Sequence, residues 1–419
     1  MRVRRAAIVA AVIAVAASGL SACSSSGGGS GSSGVGPFTF VTGKDNSGIW
    51  PILSAEWNKD HPNEKVTVKQ QSDQADQQLS DLQQHFQSKD PNYDVVTVDV
   101  IWTAEFAAKG WLLPLTGSNA LDTSKMLKAP VAAATYNGTL YAAPWASDGG
   151  LLYYRKDLVK TPPTTWDELI NDCKGITSNT ITGSKPGCYA GQFAKYEGLT
   201  CNVAEAINAA GGEIVKSDGK TPNVDTSQAA AGLNFLVNGF KQGYIPKEAI
   251  GFQETQSLNA FQAGKLVFMR NWPYADAILA ASKLKGKYDI APLPGPNGQG
   301  ASTLGGHSIA ISAYSKHQKS GLAFVQWLDE PAQQRTILTK ATLAPVDQSL
   351  YSEPDLVKQF PYLPTLLKSI ETAVPRPVTP FYPAVTEAIE TNAYAALQGQ
   401  KSTEQALKDM QAAIQTASQ

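Results

Sequence analysis

Residues 138–158 read GTLYAAPWASDGGLLYYRKDL, from Gly138 to Leu158. A glycine opens a short strand-like run, Leu140-Tyr141-Ala142-Ala143, which passes through Pro144-Trp145 to an acidic turn, Ser147-Asp148-Gly149-Gly150. A second apolar run, Leu151-Leu152-Tyr153-Tyr154, follows and ends at Arg155-Lys156-Asp157. Two strands that meet at a glycine-flanked aspartate beside a tryptophan can set a carboxylate and an indole face on one rim. A site for a polyhydroxylated molecule uses that pair: an acceptor for hydroxyls and a flat apolar surface for C–H faces. The plainer reading of the same residues is a surface hairpin with Trp145 in the core.

Upstream, Phe38 to Thr42 is a β-like run that ends in the polar loop Gly43-Lys44-Asp45-Asn46-Ser47-Gly48. Ile49 to His61 has helical spacing and is stopped by His61-Pro62-Asn63. Val66-Thr67-Val68 is a strand, Asp76 to Ser88 a polar helix, and Asp94-Val95-Val96-Thr97-Val98-Asp99 a buried type of strand that ends in an acid. Strands alternating with helices argue for an α/β layer with a largely parallel sheet. Ligands collect beyond the carboxyl ends of such strands, where the Gly43–Asn46 loop and Asp99 both fall. Trp50, Trp57, Trp102 and Trp111 read as core.

Downstream, Thr165 with Glu168 forms a helix-capping pattern. Gly187 to Gly191 reads as a loop, Cys201 to Ala210 as a helix, and Leu266 to Arg270 as a strand running into Asn271-Trp272-Pro273-Tyr274. Ser302 to Ile311 is a strand interrupted by Gly305-Gly306, and the tail is mostly helical over Asp355–Ala373 and Pro383–Ser418.

The N-terminus reads as export signal rather than as structure. Arg2, Arg4 and Arg5 precede an apolar run from Ala6 to Leu20, and Leu20-Ser21-Ala22-Cys23 resembles a bacterial lipobox, with cleavage before Cys23 and lipidation of its sulfur. Ser24 to Gly36 is almost only serine and glycine, the composition of a flexible tether. Removing the three leader arginines leaves 32 basic against 36 acidic residues, a net charge of −4, which argues against a nucleic-acid partner. The remaining chain of about 385 residues exceeds what one core usually supports, so two domains are expected. Three cysteines remain once Cys23 is lipidated. Cys173–Cys188 is the favoured disulfide, Cys188–Cys201 the competing one, and Cys201 otherwise a core thiol. The four histidines are scattered and the cysteine spacings match no zinc pattern, so neither metal nor cofactor is expected.

Several short stretches, in order, resemble a known family: Asp94–Asp99, Pro144–Asp157, Pro163–Leu169, Tyr196–Thr200, Met269–Tyr274, Leu304–Gly306 and Arg376–Val378. Together they resemble the family 1 extracellular solute-binding proteins of ABC sugar importers, most of all the trehalose/maltose-binding lipoproteins of actinobacterial type. The resemblance implies an α/β, two-lobed periplasmic-binding-protein-like fold of type II, with several crossovers and a ligand cleft between lobes that close by hinge motion. On that pattern residues 37–146 plus 305–345 form one lobe and 147–304 plus 346–419 the other. It implies a lipid-anchored monomer on the outer face of the cell membrane that delivers a sugar to the permease's transmembrane subunits.

Carried over motif by motif, the resemblance implies hydroxyl contacts from Lys44, Asp45 or Asn46, and acceptance by Asp99 and Asp148. Trp272 and Tyr274 would stack on sugar faces, Gly305 and Gly306 would admit the ligand to the backbone, and Arg376 would donate from the tail. Glu197 and Gln192 rank second. His307 stands where relatives often carry an aromatic after the glycine pair. Each residue also has a plainer role: Asp99 a helix cap, Asp148 a turn former, Trp272 and Tyr274 core aromatics, Arg376 the partner of a surface acid, and Lys44 or Asp45 a solvated loop. The competing functions are capture of a peptide, polyamine or iron complex, and glycoside hydrolysis by an Asp99/Asp148 carboxylate pair.

Overall fold

The computed structural model describes residues 34–45, 47–179 and 181–419. The stretch read as an export signal, Cys23 and most of the Ser/Gly stretch lie outside the described residues, as does Asn46. The strands are β1 Phe38–Thr42, β2 Val66–Gln70, β3 Val95–Asp99, β4 Thr135–Tyr136, β5 Thr139–Leu140, β6 Ala142–Gly149, β7 Leu151–Tyr154, β8 Gly187–Ala190, β9 Leu266–Asn271, β10 Asp289–Ala291 and β11 Leu304–Ile311. They form two main sheets, ordered β2-β1-β3-β11-β6 and β10-β7-β9-β8, and β4-β5 is a separate hairpin. This is the two-lobed α/β architecture expected, with each sheet carrying its own layer of helices.

The sheets are mixed rather than largely parallel. β1 runs parallel to β2 and β3, but β11 is antiparallel to both β3 and β6. In the second sheet only β8 and β9 are parallel. β11 returns to the first sheet from the opposite lobe, so its direction is set by that crossing rather than by a local βαβ unit. β3 is central and buried on both faces, which matches its run of valines: Val95 belongs to the apolar cluster that holds Phe38, Phe40 and Trp50, and Val96 and Val98 to the one that holds Phe86 and Phe106. Trp50, Trp57, Trp102 and Trp111 are all buried.

Residues 138–158 are not a hairpin. β6 pairs with β11 and β7 pairs with β9, so the chain runs on from one sheet into the other without reversing. Gly150 lies between them. Its N–H donates to Ser302 Oγ at 2.6 Å and its carbonyl accepts from Ser369 Oγ at 3.0 Å. A Cβ here would stand 2.3 Å from Glu205 Oε1, so only glycine fits. Trp145 is not at a rim; it is buried and stacked on Trp50 at 4.5 Å, at the point where β6 carries one extra residue against His307 and Ser308.

Gly187–Ala190 is a strand, not a loop: its short Gly-Cys-Tyr-Ala run lacks a pattern long enough to read, and pairing with β9 supplies the missing order. The helix read from Cys201 begins earlier, at Glu197, and runs to Ala209. The tail helices are broken, giving Pro354–Gln359 and Leu363–Glu371, then Tyr382–Leu397 and Thr403–Ala417, with Gly399 at φ 71° in the second break. Thr165 caps helix Trp166–Lys174 through a reciprocal capping box with Glu168. Cys173 and Cys188 form the disulfide and Cys201 is a buried free thiol, pushed up to about 12 by burial. Gly34 and Gly36, at the end of the Ser/Gly stretch, are tied down: Gly34 accepts from the N–H groups of Lys319 and Ser320, and Gly36 N–H donates to Ser320 Oγ.

Candidate functional site

The carboxyl ends of β1, β3 and β6 lie on one edge of the first sheet, and register places the acids there. Asp99 is paired with His307 on β11, and Asp148 with Gly305. The second sheet brings up the end of β9 and the residues after it. The two edges touch: a Cβ at Gly305 would lie 2.8 Å from the Trp272 ring and 3.3 Å from Asp148 Cβ. Asp148, Asp99, His307 and Trp272 are therefore gathered at one junction between the two sheets, with Tyr274 two residues beyond Trp272.

Asp148 is half-buried and its carboxylate accepts no hydrogen bond among the described residues. Burial raises it to about 6, His307 and Arg270 pull the other way, and the like charge of Asp99 adds to the rise. Asp99 Oδ1 accepts from Ile101 N–H at 3.2 Å and from Arg376 Nη2 at 3.1 Å, so it does cap the turn after β3. Its Oδ2 has no donor among the described residues. Trp272 is half-buried, with the Arg270 guanidinium 3.8 Å from the ring centroid on one face. The backbone at Gly305 packs against the same ring, its Cβ position 2.8 Å away. Tyr274 is also half-buried; desolvation and then Glu254 raise its phenol.

Other expected contacts go elsewhere. Asp45 closes the start of helix Ile49–Asp60: Oδ1 accepts from the N–H groups of Ser47, Gly48 and Ile49, and Oδ2 from Trp50 N–H. Burial acts to raise its pKa, but these hydrogen bonds prevail and hold it below the usual value. Lys44 beside it is exposed. The glycine pair makes room for protein groups: Gly305 for Trp272, and Gly306, at φ 107°, for the Ala146 carbonyl 2.2 Å from where its Cβ would be. Gln192 is fully buried, donating to Ser257 Oγ and the Arg270 carbonyl and accepting from Arg270 Nη1, a core role. Arg376 is buried between Asp99 and Glu197 Oε1, the latter at 2.6 Å, with both terminal nitrogens engaged and Nε without a partner among the described residues.

Sequence reasoning missed the group under the crossovers. Arg270 is fully buried and makes a bidentate pair with Glu205, Nε to Oε2 at 2.9 Å and Nη2 to Oε1 at 2.5 Å. Glu205 Oε1 also accepts from Thr303 N–H, and Gly150 packs on the pair, so both crossings between the sheets rest on one ion pair. The arginine beside Trp272 was visible in the sequence; its partner, 65 residues away inside a helix, was not.

The sequence profile of the bacterial extracellular solute-binding proteins matches residues 42–335. The chain belongs to the bacterial extracellular solute-binding proteins. Among its relatives is a "Probable ABC transporter-binding protein" of Deinococcus radiodurans, 33% identical over 368 residues, covering 83% of this chain and 85% of that one. The mannitol-binding protein of Pseudomonas aeruginosa is 26% identical over 351 residues, covering 75% and 78%. The solved structure of maltose-bound MalE3 of T. maritima superposes with a TM-score of 0.82 at 30% identity, covering 91% of this chain and 99% of that one. As an extracellular solute-binding protein, the chain is the substrate-binding component of an ABC transporter and works with a membrane permease and a small-molecule ligand. No helix among the described residues is long and apolar enough to cross a membrane.

Proposed function

We propose that this solute-binding protein captures a neutral disaccharide or short oligosaccharide, such as trehalose or maltose, between its lobes and delivers it to the permease. The observation that carries the reading is Asp148: a carboxylate with no hydrogen-bond donor among the described residues, set beside the half-buried ring of Trp272 across Gly305. Asp99 Oδ2 supplies a second acceptor, and vicinal hydroxyls suit ionised carboxylates. Tyr274 and His307 complete the wall. The likeness to a maltose-bound protein at 30% identity supports a sugar, and the mannitol-binding relative supports a polyol more generally.

In this reading residues 37–146 plus 305–345 and residues 147–304 plus 346–419 move as two lobes. A sugar that touches both lobes only when they are closed shifts the population toward closure. The chain acts as a monomer anchored through lipidated Cys23 after removal of residues 1–22, with the Ser/Gly stretch as tether. A thermal-shift screen against mono-, di- and oligosaccharides tests the reading, because a ligand of the native state raises Tm by mass action. A shift with one disaccharide that is lost in Asp148→Ala and Trp272→Ala is expected. Shifts only with peptides, polyamines or iron complexes would refute it. Sugar cleavage in the wells would favour the hydrolase reading.

A further inference from the structure

Arg376 follows the point where Val374 bridges Thr303 at the crossover into β11. From there its side chain spans the junction. Nη1 donates to Glu197 Oε1 at 2.6 Å, in the first turn of helix Glu197–Ala209, which packs on the second sheet through the Glu205–Arg270 pair. Nη2 donates to Asp99 Oδ1 at 3.1 Å, at the end of β3 in the first sheet. The two ends are unequal. Glu197 is buried and anchored by the hydroxyls of Tyr382 and Thr386 as well as by the arginine. Among the described residues the Asp99 side chain is held by Arg376 and one backbone N–H, both on Oδ1, and Oδ2 has no donor.

We propose that Arg376 is a positioning residue and not a ligand donor: anchored on Glu197 in one lobe, it grips Asp99 of the other, so that its grip both favours lobe closure and aims Asp99 Oδ2 at a sugar hydroxyl. The inference rests on the sugar-binding reading for its second half only. Glu197, which faces Arg376, Tyr382 and Thr386, is raised by burial, with Arg376 opposing. A protein that closes partly before ligand arrives binds more tightly in proportion to the closed fraction.

The test uses the full chain, with Arg376→Gln, Arg376→Lys, Glu197→Gln, Asp99→Asn and the Asp99→Asn/Arg376→Gln double variant. Circular dichroism identifies the folded variants, and Arg376→Lys, which keeps the charge, serves if the glutamine variant does not fold. Small-angle X-ray scattering without sugar should show a larger radius of gyration in Arg376→Gln and Glu197→Gln, with Arg376→Lys between them and the unaltered chain. Identical scattering in all of them overturns the interlobe grip, whether or not any sugar binds. Titration calorimetry with maltose and with trehalose reads the second half. If Arg376 acts through Asp99, each single variant weakens binding about tenfold and the double variant about tenfold also. Losses that multiply to about a hundredfold in the double variant would show Arg376 contacting the sugar itself and overturn the proposal. If neither sugar binds the unaltered chain, the sugar reading fails while the scattering result still decides the grip.

Discussion

Replacing Asp148 by asparagine should stabilise the free protein while weakening ligand capture. The carboxyl is raised on folding from 3.8 to about 6, mainly by burial, which means that the charged form is penalised in the native state and not in the unfolded one. At about 1.4 kcal/mol for each tenfold change in acidity, the penalty has a ceiling of about 3 kcal/mol. Residual solvent access to the side chain screens part of it, so a gain of about 1–3 kcal/mol is expected for the neutral amide. The sign follows from linkage. Below pH 3.8 the carboxyl is protonated in both states and the penalty is absent; it grows as pH rises to about 6 and is complete above that. Denaturant unfolding of both proteins at several pH values measures it. The advantage of Asp148→Asn over the unaltered chain should grow between pH 4 and pH 6.5 and then level off, while affinity for the ligand found in the thermal-shift screen falls at pH 7.5. An asparagine variant less stable than the parent at pH 7.5, or a difference flat with pH, would refute the account of Asp148 as a strained, unpartnered acceptor.

Three further outcomes follow from the crossovers and the core. Gly150→Ala puts a methyl 2.3 Å from Glu205 Oε1 and should lose about 2 kcal/mol or more in a urea melt, because the obstacle is a buried ion pair. Glu205→Gln leaves the Arg270 charge fully buried without its carboxylate and should lose about 3–5 kcal/mol by the same measurement. Cys173→Ser with Cys188→Ser opens a link between residues separated by 15 in sequence and should lower stability by about 3 kcal/mol, leaving sugar affinity within about twofold.

Much of this protein was legible in the linear chain because the relevant signals are local. The valine run of β3, the capping pair Thr165 and Glu168, and the helical spacing after Gly48 each follow from a few neighbouring residues obeying a period or a cap. The same holds for the acids at strand ends: Asp99 closes β3 and Asp148 precedes the glycine pair at the crossover, and both reach the junction. What the chain could not declare was which distant group each residue meets. Asp45 looks like a loop acceptor until its oxygens are seen to be filled by the helix it precedes, and Arg376 looks like a free donor until Asp99 and Glu197, 277 and 179 residues away, are found to hold it. The hairpin reading failed for the same reason. Gly149-Gly150 permits a reversal or a crossing, and the choice was made by strands paired far along the chain, β11 on one side and β9 on the other. Local propensity determined the elements and the residue types at their ends; tertiary pairing decided which polar atoms were already spent within the protein.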